Sequence, residues 1–464
     1  MLNYCSVTKL LTRFYVSFHA PSRALLTLCP VVKLAIVGSG ISGLAVAHSL
    51  KGQADITLFE AADYFGGHTN TVELTLDGPN GPLTHGVDTG FLVFNERTYP
   101  ALIRLFSELA VPTARSDMSF SVQVPQAGFG TPLEWSGASL SSVFSQRRNL
   151  FRPRFLRMLL DVLRFNRLAT GLARNGQETE MMQPLGDFLQ QHRFSSEFRD
   201  WYFLPMLGCI WSCPTDQMLR FPVATMVRFC HNHGLIQISQ RPQWWTVPGG
   251  ARQYVDKITA GIADKRLRSP VLQIRRDALG VVINTDGQTE RFDKVVLACH
   301  SDQALALLGD ASGSEQRTLG AIRYQANRAL LHTDVSVLPR QRRAWAAWNY
   351  ERADAGTDAN QVCLHYLLNL LQPLPFAQTV LVSLNPLREI DPSHVHASFD
   401  YAHPVFDLAA IRAQRQVAAL QGRRHSYFCG AWTGYGFHED GLKSGLAVAA
   451  QIKALPGQDW GTLQ

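Results

Sequence analysis

No stretch of this 464-residue chain stays apolar long enough to cross a bilayer as a helix. Its eight cysteines are scattered. They show no zinc-ligand spacing, and the one close pair, Cys209-x-x-x-Cys213, reads as two buried thiols. Without a disulfide framework the chain suits a reducing compartment, so a cytoplasmic location is expected. Internal repeats and low-complexity runs are missing, which sets solenoid folds aside. No metal site is expected either. His231 and His233 are spaced like strand or loop neighbours, and no further ligands accompany them. Acids are missing from residues 1–32, which hold Lys9, Arg13 and Arg23. That segment lacks a clean signal peptide, because the run Leu25–Cys29 is short and no small-residue cleavage site follows. It reads as a disordered leader or a non-native extension, with a targeting peptide the lesser alternative.

The chain is 46% hydrophobic and 17% charged, which is globular, and it is too long for one ordinary core. Net charge is +7. Between Arg147 and Arg174 stand eight arginines and one acid, Asp161, so this segment alone carries +7. Apolar residues interleave with the arginines, predicting a basic amphipathic helix after Pro153. Such a helix is either a solvated flank or a docking face for an anionic membrane, on the inner membrane face if so. No aromatic platform or recognition motif accompanies the charge, so nucleic acid is not expected as a partner. The oligomeric state is left open.

Two glycine-rich segments stand almost four hundred residues apart. Near the start, the apolar run Leu34–Val37 leads into Gly38-x-Gly40-x-x-Gly43, and a helical pattern runs from Leu44 to Leu50. This order is a dinucleotide-binding turn. The first glycine permits the tight turn, the second admits a pyrophosphate, and the third lets helix and strand pack closely. The phosphates then meet the helix N-terminus, with Ser42 in its first turn. A second strand, Ile56–Phe59, ends in Glu60, 22 residues after Gly38. A carboxylate there accepts from ribose hydroxyls and repels a 2′-phosphate, which disfavours NADP. Six residues after Glu60 comes the glycine pair Gly66-Gly67, followed by His68 and Thr69.

Further along, Val72–Leu76 and the turn Asp77–Gly81 predict a hairpin. Residues 111–145 read as strands and turns, and 150–235 as mostly helical. A turn at Pro248-Gly249-Gly250 leads into a helix from Arg252 to Ile262. A meander follows, with strands at Val271–Arg275 and Val281–Thr285, then a buried strand at Val295–Ala298. Strands at Ala329–Val335, Gln361–Leu368 and Val380–Leu384 are expected to roof a cavity. The second glycine segment, Gly430-Ala-Trp-Thr-Gly-Tyr-Gly-Phe-His-Glu-Asp-Gly441, precedes a helix from Leu442 to Leu455.

By these motifs residues 33–455 resemble the FAD-dependent amine oxidase and desaturase superfamily. Within it the chain is similar to a bacterial branch described as NAD/FAD-binding proteins. The resemblance implies an α/β fold of the glutathione-reductase type: a Rossmann-like FAD-binding domain with an interleaved α+β substrate domain. The expected FAD-binding parts are 33–110, 241–305 and 401–464. The expected substrate parts are 111–240 and 306–400, with the basic helix near 150–174.

The resemblance also implies the cofactor contacts: Gly38, Gly40, Ser42, Gly43 and Glu60 on the nucleotide, Gly67, His68 and Thr69 along the pyrophosphate, and Val271, through its backbone, on adenine. Gly430 and Ala431 would touch ribityl and phosphate, and backbone N–H groups of Asp440, Gly441 and Leu442 would face the flavin ring. The cysteine that holds flavin in monoamine oxidases has no match, which implies noncovalent FAD. Ala431 stands where amine oxidases usually carry an acid, and no aromatic cage is evident. Both departures count against amine substrates. Candidate catalytic residues are His438, Tyr435, Asn95 and Arg97. His438 is either an acid or base beside the ring or a structural hydrogen-bonded histidine. Tyr435 walls the cavity or simply packs. Asn95 and Arg97 either meet a polar headgroup or carboxylate, or form an ion pair or loop brace.

Relatives in this branch are associated with modification of unusual fatty acyl chains. The expected activity is hydride transfer between a C–H of a long apolar substrate and flavin N5, of desaturase or isomerase type. The alternatives are a flavin amine oxidase, an NADH-linked reductase and a non-catalytic membrane-surface flavoprotein.

Overall fold

Strand Lys33–Val37 is apolar on both faces, with Leu34, Ala35 and Ile36 fully buried, so it sits inside a parallel sheet. The computed structural model describes residues 31–78, 80–176, 181–237, 241–353 and 361–455. The leader expected over residues 1–32 therefore lies, apart from Val31 and Val32, outside the described residues. The sheet runs in the order Asp264–Arg266, Asp55–Phe59, Lys33–Val37, Lys294–Leu297, Ser426–Phe428, all parallel. Helix Ile41–Leu50 follows the central strand, and the last described helix, His438–Lys453, packs along it. The approach is close: a Cβ on Gly445 would strike the Ser42 carbonyl oxygen.

A second, seven-stranded sheet has the order Val395–Val405, Arg323–His332, Leu381–Leu384, Val362–Leu367, Trp348–Arg352, Phe120–Val124, Leu133–Ser136. Its pairings are antiparallel except for Trp348–Arg352 against Phe120–Val124. Helices between Pro153 and Asn232 cover one face of it, led by Pro153–Asn175, Leu204–Trp211 and Val223–Asn232. The α/β class expected from the sequence is present.

Several local expectations are corrected. The boundary at 305/306 cuts helix Ser301–Leu307, and the one at 400/401 cuts strand Val395–Val405. Composition gives no break there because the chain crosses between layers without a linker. His231 lies inside helix Val223–Asn232 and His233 caps its C-terminus, so they are not strand or loop neighbours. The strand expected from Val271 begins two residues later, at Gln273. The hairpin is longer than its alternating core suggests, running Thr71–Gly78 and Gly81–Asp88.

Candidate active site

The turn after Lys33–Val37 has the geometry its glycines require. Gly38 has a φ of +102°, a region side chains rarely enter, and a Cβ on Gly43 would collide with the Gly38 carbonyl oxygen. Gly40 borders open space, since a Cβ there would meet nothing within 4 Å. The Glu60 carboxylate ties this turn down. Its Oε2 accepts from the Ser39 N–H at 3.0 Å and the Ser39 hydroxyl at 2.5 Å, and its Oε1 accepts from the Ala62 N–H at 2.9 Å. Ser39 Oγ in turn accepts from the Gly66 N–H at 3.1 Å. The turn and the Gly66-Gly67 loop are thereby locked face to face, and a Cβ on Gly67 would come within 3.2 Å of Gly40 Cα.

From this turn a cavity of about 410 Å³ extends to the seven-stranded sheet. Gly38, Gly40, Ser42, Glu60, Gly67, His68, Gly430 and Ala431 line its nucleotide end. Tyr435 and His438 line it further in, among aromatic rings that the sequence pattern had not revealed: Trp211, Phe229, Trp244, Trp348, Tyr366 and Phe437. Tyr366 meets Trp348 edge-on at 4.9 Å, and Phe229 stacks on Phe437 at 4.8 Å. The other expected site residues lie outside the lining. Gly43 is packed behind the turn, and Val271 is buried in the core with Phe59 and Val281. Asp440 closes the turn before the last helix, its Oδ2 accepting from the Tyr435 and Phe437 N–H groups at 3.1 and 3.0 Å. Gly441 approaches Ile41, and Leu442 is buried in the core shared with that helix.

Asn95 and Arg97 brace their own loop. Asn95 Oδ1 accepts from the N–H groups of Arg97 and Thr98, both at 3.0 Å, and Arg97 reaches Gln237 at 3.4 Å. Neither lines the cavity. The headgroup role read from sequence therefore has no support in where the structure places them. A loop brace and a ligand contact look alike in a sequence.

His438, the first residue of helix His438–Lys453, is held from two sides. Its Nε2 lies 2.8 Å from the Tyr254 hydroxyl and 3.2 Å from Thr69 Oγ1, and its ring stacks on Phe91 at 3.9 Å. Thr69 thus acts through its side chain, 2.6 Å from the Tyr254 hydroxyl, rather than on the lining. A second group of rings surrounds His68, with Tyr401 stacked at 5.0 Å, His403 at 5.4 Å and His300 at 6.3 Å. Sequence reasoning missed Tyr254, His300, Tyr401 and His403. They come from separate elements, and no local spacing marks them.

Burial sets the electrostatics. It pushes His68, His233 and His300 down to about 4, and His403 and His438 down to about 3, so all five are neutral at ordinary pH. A neighbouring histidine adds to the effect in every case but His233, where the Phe229 carbonyl opposes it. No Lys, Arg or Asp side chain lines the cavity among the described residues, and Glu60 is the one carboxylate. Burial also pushes the Cys299 thiol, on the lining, up to about 12. The one three-ligand metal-type cluster among the described residues is Glu351, Cys363 and His365. It sits outside this cavity, and Arg388 pairs with Glu351 there at 3.2 Å.

A family model described as flavin containing amine oxidoreductase matches residues 41–329. The chain belongs to that family. It is accordingly an FAD-dependent oxidoreductase. Solved structures repeat the fold at low identity. A CLA-producing fatty acid isomerase from P. acnes is 15% identical over 91% of this chain and 98% of its own, with a TM-score of 0.63. A cyclohexylamine oxidase from Brevibacterium oxydans is 18% identical over 91% of this chain and 100% of its own, also at 0.63. A putrescine oxidase bound to putrescine is 16% identical over 92% and 100%, at 0.62. No curated protein matches the sequence.

The residues present fit FAD. The open space at Gly40 suits a phosphate over the helix N-terminus. His68 Nε2 is buried without a partner at the junction of the nucleotide end and the aromatic end, where a cofactor polar atom would satisfy it.

Proposed function

We propose that this enzyme takes a long, uncharged apolar chain, of the fatty acyl class, and rearranges or removes C–H bonds along it, as a desaturase or isomerase does. The observation that carries the reading is the cavity wall. Beyond Glu60 it carries no charged side chain, is mostly apolar and aromatic with Thr89, Ser212 and Gln303 among the rings, and its five histidines are neutral. The aromatic rings missing from the sequence reading are present, which removes that argument against amines. What remains is that an alkylammonium would find no carboxylate among them, whereas a methylene chain gains by burial. Glu60 does not serve, since it stands at the nucleotide end, beside the phosphate turn it ties down, and not among the aromatic rings.

Bound flavin would supply the hydride acceptor, which is chemistry that side chains lack. The chain's own residues position and exclude water. Trp348, Tyr366 and Tyr435 wall the channel, and Phe91 with Tyr254 fixes His438 beside it. Cys299 remains a protonated thiol and so a poor nucleophile, which supports noncovalent cofactor binding.

The test is direct. Purified holoenzyme is incubated with unsaturated and saturated fatty acyl substrates, and with primary alkylamines and NADH. Double-bond position and number are read by chromatography and mass spectrometry, and peroxide is assayed in parallel. A shifted or new double bond supports the reading. Peroxide release with amines and unchanged acyl chains overturns it in favour of an amine oxidase.

A further inference from the structure

Helix Pro153–Asn175 buries Phe155, Met158, Asp161, Phe165, Ala169 and Leu172, which share one stripe at 100° per residue. The opposite side of a solvated helix is polar. Here it carries Leu156, Leu160 and Leu163, at 37%, 68% and 51% exposure. Just ahead, Leu140 and Phe151 stand out at 80% and 85%. Arginines share this surface. Three are engaged within the protein: Arg152 bonds Asn149, Arg154 pairs with Glu197, and Arg164 pairs with Asp161. Arg147, Arg148, Arg157, Arg167 and Arg174 are exposed and make no ion pair or side-chain hydrogen bond with any described residue.

We propose that this face docks on a lipid bilayer with anionic headgroups. Leucines and arginines interleave on it rather than separating into an apolar core and a charged rim. A bilayer interface suits that arrangement: apolar tips enter the acyl boundary while guanidinium groups stay in the phosphate layer on extended stems. Among the described residues of this helix the unpaired charge is entirely positive, complementary to such headgroups. The inference rests on the proposed function for its purpose, since an acyl chain is found in the bilayer. The architecture agrees, because helix Val223–Asn232 packs against the docking helix and sends Phe229 into the cavity.

The experiment is co-sedimentation of the purified holoenzyme with phosphatidylcholine vesicles, with and without phosphatidylglycerol. Binding is expected only with phosphatidylglycerol, and it weakens as salt rises. Neutralising Arg147, Arg157 and Arg167 together (R147Q, R157Q, R167Q) is expected to weaken binding about a hundredfold, at roughly fivefold for each charge near the surface. The set Phe151→Ser, Leu160→Ser and Leu163→Ser is expected to abolish binding while thermal midpoint and flavin content hold. Absence of binding to anionic vesicles, or binding that neither set changes, overturns the proposal. So does self-association that the Phe151→Ser set abolishes without any vesicle binding, which assigns the face to a second copy. The readout is bound protein, not turnover. Vesicle binding with unchanged acyl chains refutes the substrate reading alone. Acyl conversion in detergent without vesicle binding refutes the docking alone.

Discussion

Lowering the pH from 7 to 5 puts the cavity's five histidines to a quantitative test. In the unfolded chain each titrates near its ordinary 6.5, while burial holds it at about 4 or about 3 in the fold. Between those values the unfolded chain binds protons that the folded chain refuses, so stability falls as pH falls. At pH 5 one such group costs about 2 kcal/mol. Four of the five shifts include a neighbouring histidine and are not independent; counting half of the sum leaves about 5 kcal/mol. Asp88 and Asp440 act in the opposite sense. Burial raises each from 3.8 to about 6, so the folded state takes up their protons first as pH falls through 6. Together they return about 2–3 kcal/mol at pH 5. From these seven groups the expected net loss is about 2–3 kcal/mol, a sizeable share of a typical folding free energy, and His332, which burial also holds at about 4, acts in the same direction. Thermal unfolding followed by circular dichroism and by flavin fluorescence, at matched ionic strength from pH 7 to 5, reads it. Midpoints that stay level or rise across that range would refute the assignment of neutral histidines.

Two substitutions probe the frame of the site. Gly43→Ala forces a Cβ onto the Gly38 carbonyl oxygen, and the protein is expected to be recovered without flavin, as visible absorption would show. Glu439→Ala removes a buried carboxylate that accepts from the N–H groups of Ala101 and Leu102 at 3.0 and 2.9 Å, at the start of helix Pro100–Glu108. A loss of about 2–4 kcal/mol in denaturant unfolding is expected, with partial recovery in Glu439→Gln.

Much of the nucleotide end was legible because its signals are local. Strand, glycine turn, helix and Glu60 follow one another within thirty residues, and Gly38 and Gly43 each answer a steric demand of the backbone beside them. The arginine-rich helix was legible for the same reason, since Pro153 starts it and its period shows in the sequence. The aromatic end was not. Trp211, Trp348, Tyr366 and Tyr401 come from four elements that meet only in the folded chain. Strand Val395–Val405 escaped notice because its alternation is written in His, Ser, Asp and Tyr rather than in aliphatic residues. For Asn95 and Arg97 the sequence left a ligand contact and a loop brace open, because polar side chains in a tight loop bond their own backbone as readily as a ligand.

The packing of helix His438–Lys453 along Ile41–Leu50 has a consequence for biosynthesis. A nascent chain presents its phosphate turn first, and Gly430, Ala431 and Gly445 leave the ribosome some four hundred residues later. Until then the two ends cannot clasp, and the cofactor has only half a seat. Flavin capture is therefore a late step in maturation, and a ribosome stalled short of Gly430 would hold a polypeptide without colour.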